Sequence, residues 1–368
     1  MSRGRDPRTA TRRILLPRPD IIRQPSSPQE FNVTEGLLFT IDTYISGMYD
    51  PGGAWYPADA SQSEDTPGYK LASKFTGSVT SAVGLLKANS FVEARKVLSG
   101  ACNLVQDMLK TMHPVTFGYL LLVFHGLAKE GLGPLNDAAD ILRNYIARMA
   151  TVVLPKAHPW RDICCVFGRI DRRLFRQTLI LLMRSHSDSL EKKLGQFNPV
   201  ALGNRVRYIY YGYADNLPAG EIALRKLLAG CPHPSVSYCG MLAVLGALTA
   251  NLRDQGRYKE YESLAKEYTS IARKYADGVA VVNGLRATAM AQYKLGERAL
   301  AEASQREAAD LNLADEKDSF NLSWAIEHLT VLESWLREWG RTQDAEKLKE
   351  EINELIKRDT AGSEEIVL

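Results

Sequence analysis

Residues 251–268 read NLRDQGRYKEYESLAKEY, residues 290–308 read MAQYKLGERALAEASQREA, and residues 333–352 read ESWLREWGRTQDAEKLKEEI. Each segment is a helix-forming run, one glycine and a second helix-forming run. The glycines, Gly256, Gly296 and Gly340, stand 40 and 44 residues apart, and Ala301 and Ala345 follow two of them at a distance of five. A hairpin that recurs at about 40 residues marks a stacked helical repeat, because one hairpin cannot bury its apolar face alone. The pattern predicts an all-α chain, a tetratricopeptide-like right-handed α-solenoid of about seven helical hairpins.

The same grammar continues toward the N-terminus. Leu71–Lys87 and Phe91–Met112 flank Ala88-Asn89-Ser90, with Asn89 in the glycine slot, a residue that tolerates left-handed backbone. Pro114–Lys129 and a helix running to Val153 flank Gly131-Leu132-Gly133. Ala94 and Ala138 follow these turns in the register of Ala301 and Ala345, where close helix packing demands a small side chain. The middle is less regular. Trp160–Phe167 with Leu174–Arg184 reads as a hairpin turning at Gly168, and Ala201–Tyr213 with Glu221–Ala229 as one turning at Asp215–Pro218, with Leu190–Asn198 as an irregular join. The expected organisation is a basic, Pro-rich and partly disordered arm at 1–34, a first helix and loop at 35–70, the repeat array at 71–357 and a frayed tail at 358–368. Prolines 7, 17, 19, 25 and 28 keep the arm out of a helix, while the apolar stripe of Leu348, Ile352, Leu355 and Ile356 suits a terminal repeat.

Composition narrows the class. Hydrophobic residues make up 45% of the 368, enough for a core, and no apolar run approaches the roughly 18 residues of a membrane span. The five scattered cysteines fit reduced thiols in the cytoplasm or nucleus better than a disulfide framework. The arm has no apolar segment of the kind a secretory signal carries, so no export is expected. Net charge is only +3, yet from Asn251 onward 17 basic residues face 23 acidic ones, against 29 and 20 before it.

No phosphate-binding loop or catalytic motif stands out, and no cofactor is implied. Cys231, His233 and Cys239 supply three soft ligands where zinc wants four, so no metal is expected. Cys164 with His158 and Arg161 forms a nucleophile set only if they line an open cleft; the simpler expectation is a packed cysteine. Two stretches suit recognition of an unknown protein or peptide partner. Arg169, Arg172, Arg173 and Arg176 follow i, i+3, i+4, i+7 and would share one helical face, a stripe able to grip carboxylate or phosphate, and hence nucleic acid. Arg205, Arg207, Tyr208, Tyr210, Tyr211 and Tyr213 interleave arginine with aromatic rings, a composition suited to peptides, acidic partners or bases.

The lead LLPRPDIIRQPSSPQEF and the following EGLLFTIDTYISGMYDPGGAW carry a resemblance, in Pro17, Pro19, Pro25, Pro28, Tyr44-Ile45-Ser46-Gly47 and Trp55. They resemble the region after the DNA-binding domain in fungal cryptic-loci-regulator proteins of the Clr-five type. The resemblance implies a regulatory protein concerned with transcription, with a long tetratricopeptide-like body and without that DNA-binding domain. The expected function is a non-enzymatic interaction scaffold; a transcriptional regulator touching nucleic acid and, last, an enzyme on an α/α scaffold are the alternatives.

Overall fold

The computed structural model of the protein describes residues 28–50, 53, 66–87, 91–111, 113–129, 134–232, 234–314 and 319–364. Among these, every regular element is an α-helix, and there are fifteen. The arm before Pro28 lies outside the described residues, as do residues 54–65 of the expected helix and loop at 35–70.

The C-terminal half is a regular succession of neighbouring helices. Helices α10 (Pro234–Asp254), α11 (Tyr258–Lys274), α12 (Gly278–Leu295), α13 (Arg298–Ala314), α14 (Ser319–Glu338) and α15 (Thr342–Glu364) each pack on the helix before, and all but α15 on the helix after. Gly256, Gly296 and Gly340 have φ of 74°, 80° and 77°, the left-handed conformation that ends a helix cheaply only at glycine. Each turn closes in the same way. The amide after the glycine reaches back to a carbonyl in the preceding helix, Arg257 to Leu252 at 3.1 Å, Glu297 to Gln292 at 2.9 Å and Arg341 to Leu336 at 2.9 Å. The junction between α11 and α12 makes the same closure, Asp277 to Ala272 at 3.0 Å, but its left-handed residue is Ala276, with φ 54°.

Small residues set the helix spacing. Ala94, Ala301 and Ala345 are fully buried, as their register requires. Ala138 departs from it: it is half-buried, and its neighbour Ala139 takes the core position instead. The helix here, α5 (Pro134–Val153), presents its apolar face one residue later.

Ion pairs tie each hairpin to the next. Arg273 meets Glu307 at 2.5 Å, Arg286 meets Glu327 at 2.8 Å, and Arg306 grips Glu351 with both arms of its guanidinium at 2.8 and 2.9 Å. Their sequence separations are 34, 41 and 45 residues, the length of one hairpin. Each pair is surface-exposed and contributes little stability singly. Their placement shows that the acidic half spends much of its charge on its own neighbours.

The N-terminal half is built differently. Helices α2 (Pro67–Lys87) and α3 (Phe91–Thr111) form the expected hairpin, and α4 (Pro114–Lys129) packs on both α2 and α5. The expected hairpin around Gly168 does not form. Gly168 lies inside α6 (Pro159–Arg169), and α6 shares no hairpin interface with α7 (Phe175–Leu194). Instead α6 packs back on α5, and α7 packs on α4 and on α8 (Pro199–Gly212). The place of a partner for α6 and α7 is taken by α1 (Pro28–Tyr49), the helix most distant from them in sequence on that side. Helix α8 in turn leans on α10 as well as on its successor α9 (Leu217–Gly230).

Helix α1 also begins at Pro28, seven residues before its expected start at 35; proline is well tolerated in a first helical turn. Its apolar face, Leu37, Ile41, Tyr44 and Ile45, is buried. Tyr44 stacks on Trp160 with ring centroids 5.6 Å apart and planes 17° apart, and Phe117 meets Trp160 edge-on at 5.2 Å. Polar contacts fix the register: Ser189 donates to Asp42 at 2.5 Å and Lys193 pairs with Asp50 at 2.7 Å.

Arg143 explains why the chain breaks after α6. Buried at 5% exposure, it donates to the carbonyl of Ile170 at 2.8 Å, pairs with Asp140 and lies 4.2 Å from the Phe175 ring centroid. A guanidinium on the last carbonyls of a helix satisfies acceptors that a continuing helix would have bonded itself. Ile170 is accordingly extended, with ψ 131°.

Two substitutions test the turn chemistry with opposite signs. Ala276→Gly relieves a left-handed alanine and raises stability by up to about 1 kcal/mol, less the entropy that glycine gains when unfolded. Gly296→Ala lowers it by about 1 kcal/mol, since open space around the glycine leaves only the backbone cost. Urea unfolding of both variants reads the difference; equal shifts in one direction would contradict this account.

Candidate partner-binding face

The arginine stripe does not exist as a single face. Arg169 is the last residue of α6, Arg172 and Arg173 lie in the turn after it, and Arg176 lies in the first turn of α7. The helical spacing fails because Arg143 and extended Ile170 interrupt the helix between them. Three of the four meet acids of the chain itself. Arg172 approaches Asp137 at 3.4 Å, Arg173 pairs with Asp171 at 3.3 Å, and Arg176 pairs with Asp215 at 2.8 Å. Hydrogen bonds from the Arg173 side chain and backbone hold the Asp171 carboxyl below its ordinary range. These arginines brace the turn against α5 and the α8–α9 junction.

The second stretch, Arg205–Tyr213, is helical through Gly212, and the helix divides it into two sides. Tyr208 and Tyr213 are buried, at 2% and 3% exposure, and Arg205 pairs with Asp188 at 2.6 Å and also with Glu191. Burial pushes the Tyr208 hydroxyl up to about 12. Arg207, Tyr210, Tyr211 and Ala214, at i, i+3, i+4 and i+7, hold the other side, and all four are half-buried.

On that side α8 joins a row of aromatic and charged groups that crosses several helices. Tyr69 of α2 and Tyr119 of α4 bring their hydroxyls to 3.3 Å. The Arg207 guanidinium lies over the Tyr119 ring, 5.0 Å from its centroid. One turn further along α8, Tyr211 packs on Tyr210 with centroids 4.9 Å apart and on buried His125 at 4.5 Å. The Tyr210 hydroxyl donates to Asp254 of α10 at 2.9 Å, and Arg253 reaches both groups. Between Tyr210, Tyr211, Ala214, Leu217 and Asp254 lies a shallow pocket of about 140 Å³.

Close approach makes the row continuous. A Cβ on Gly118 of α4 would lie 2.6 Å from Asn204 Oδ1 and 3.5 Å from Arg207 Nη1, so glycine lets α8 settle against α4. Beneath the row, burial and the Arg207 charge push His186 down to about 3, so it stays neutral there.

The other candidates take structural places. Cys164 is buried at 3% exposure within the core, where burial pushes its thiol well above the ordinary range. His158 caps α6, its Nδ1 accepting from the Trp160 amide at 3.1 Å, and Arg161 reaches the carbonyl of Leu154 at 3.4 Å. These three do not converge on a cavity, so the proposed nucleophile set is not assembled. His233 lies outside the described residues; Cys231 and Cys239 are half-buried. Sequence reading missed Tyr69, Tyr119, Arg253 and Asp254. Tyr69 stood in an expected loop and Tyr119 in an apolar run, and only contact across helices marks them.

The two sides of α8 predict unequal costs. Tyr208→Ala empties a core position and costs about 3–5 kcal/mol, whereas Tyr210→Phe removes a rim hydroxyl bonded to Asp254 and Arg253 and costs about 1–2 kcal/mol. Denaturant midpoints of the two variants check this; a Tyr210→Phe loss as large as that of Tyr208→Ala would mean the row is core. Compared with family models and with curated proteins, the chain matches none.

Proposed function

We propose that the protein is an interaction scaffold that holds a protein or peptide partner along the tyrosine–arginine row, and that its body is a tetratricopeptide-like solenoid. The observation that carries the functional reading is the row itself. Half-buried Tyr69, Tyr119, Arg207, Tyr210 and Tyr211 meet side by side on α2, α4 and α8, all held by neighbouring helices. Tyrosine and arginine are the side chains over-represented where partners bind, and pre-held side chains lose little freedom on binding. The left-handed glycine turns, buried alanines and hairpin-length ion pairs support the solenoid reading.

The likeness of the N-terminal segments to fungal cryptic-loci-regulator proteins supports a regulatory role, exerted by recruiting partners in the nucleus or cytoplasm. Direct contact with nucleic acid through the arginine stripe finds less support, since three of its four arginines pair within the chain. No described helix is long and apolar enough to cross a membrane.

Affinity capture compares the native chain, a Tyr119→Ala/Tyr210→Ala/Tyr211→Ala variant, and a control changed at Arg273 and Glu307 on other helices. The expected result is partner recovery that drops at least tenfold in the row variant and holds in the control, with both variants retaining helical circular dichroism. Equal recovery from all three overturns the proposal.

A further inference from the structure

Helices α7 to α10 carry six arginines: Arg176, Arg184, Arg205, Arg207, Arg225 and Arg253. Five of them meet a carboxylate, respectively Asp215, Asp188, Asp188 with Glu191, Glu221, and Asp254. Arg207 meets none among the described residues. It is nonetheless half-buried and held in place, over the Tyr119 ring and beside Gly118 and Asn204. An aromatic face attracts a cation but does not replace a counter-ion, and a guanidinium keeps five donors in a fork that matches a carboxylate.

We propose that Arg207 is the anchor for a carboxylate of the bound partner, and that the row takes an extended peptide carrying an acidic residue and, two positions away, an apolar one. The inference rests on the reading of this face as a partner-binding surface. The spacing comes from α8. Tyr211, which lines the pocket, follows Arg207 by four residues, about 6 Å along a helix. Two residues of an extended peptide span about 6.6 Å and point to the same side. An acid seated on Arg207 therefore places the second side chain along its strand at the pocket between Tyr210, Tyr211, Ala214 and Leu217. Asp254 at the pocket edge is already engaged by Arg253 and Tyr210, and its charge disfavours a second acid at that position. The order acid then apolar, rather than two acids, follows from that asymmetry.

The test is selection of a random octapeptide library on the full chain, followed by polarisation measurements with fluorescein-labelled Gly-Ser-Glu-Ser-Leu-Ser-Gly and its Glu→Gln and Leu→Ala forms. Selected peptides should be enriched in Asp or Glu two positions from Leu, Ile, Val or Met. The Gln peptide should bind about tenfold more weakly than the Glu peptide, as expected for loss of a charge-assisted hydrogen bond. In Arg207→Gln the two peptides should bind alike, and Arg207→Lys should restore part of the difference. Circular dichroism melting of both variants shows that the fold is kept. Enrichment of peptides without an acid, or a Glu preference that survives in Arg207→Gln, overturns the carboxylate anchor while leaving the binding face in place. Failure to enrich any peptide overturns the anchor and counts against the peptide form of the scaffold reading as well.

Discussion

The stack of Tyr44 on Trp160 is the contact on which the N-terminal half depends. Helices α6 and α7 have no hairpin interface with each other, so each has an apolar face that local sequence leaves uncovered. Helix α1 covers both at once, and its ring on Trp160 continues through Phe117 to His186, an aromatic series reaching from α1 to α7. In a uniform repeat each hairpin is covered by its successor. Here that duty passes to a segment from elsewhere in the chain, and the succession of neighbouring helices is interrupted where α1 lies.

Two ways of handling charge accompany the two kinds of packing. In the C-terminal half, acids and arginines one hairpin apart pair along the outer surface, as Arg306 does with Glu351. In the middle, arginines reach buried acceptors instead. Arg143 holds the end of α6, and Arg257, with Arg225 and Gln255, surrounds Glu221, which is almost buried. Burial alone would raise the Glu221 carboxyl, yet hydrogen bonds from Gln255 and Arg225 and the charge of Arg257 bring it below its ordinary range. That cluster joins α9 to α10 and α11, so the irregular middle and the regular end are locked by polar contacts as well as by packing.

What could be read in the sequence was whatever local chemistry determines. Gly256, Gly296 and Gly340 announce their turns because an L-residue with a side chain pays for left-handed backbone, and Ala301 and Ala345 announce their burial because only a methyl group fits. Ala276 shows the limit, since its left-handed turn is held by the α11–α12 packing against its own preference. The arginine spacing at 169–176 misled because periodicity presumes a continuous helix, and the break is imposed by Arg143, a residue of another helix. At Arg205–Tyr213 the helix itself was legible, but which tyrosines turn inward was not. Tyr208 and Tyr210 differ only in what α7 and α10 place beside them.

The long reach of α1 has a consequence in time. Ser189 and Asp42, which bond across the α1–α7 contact, are 147 residues apart in the chain. At about 5–20 residues synthesised per second, α1 leaves the ribosome roughly 7–30 seconds before its seat exists. Its face of Leu37, Ile41 and Ile45 must pass that interval unburied. Closing so long a loop also carries an entropic cost that the C-terminal hairpins, built from near neighbours, never meet. Folding of the newborn chain therefore departs from nearest-neighbour order at this one place: α1 waits for α6 and α7 while α2 to α5 pair with helices close to them in sequence.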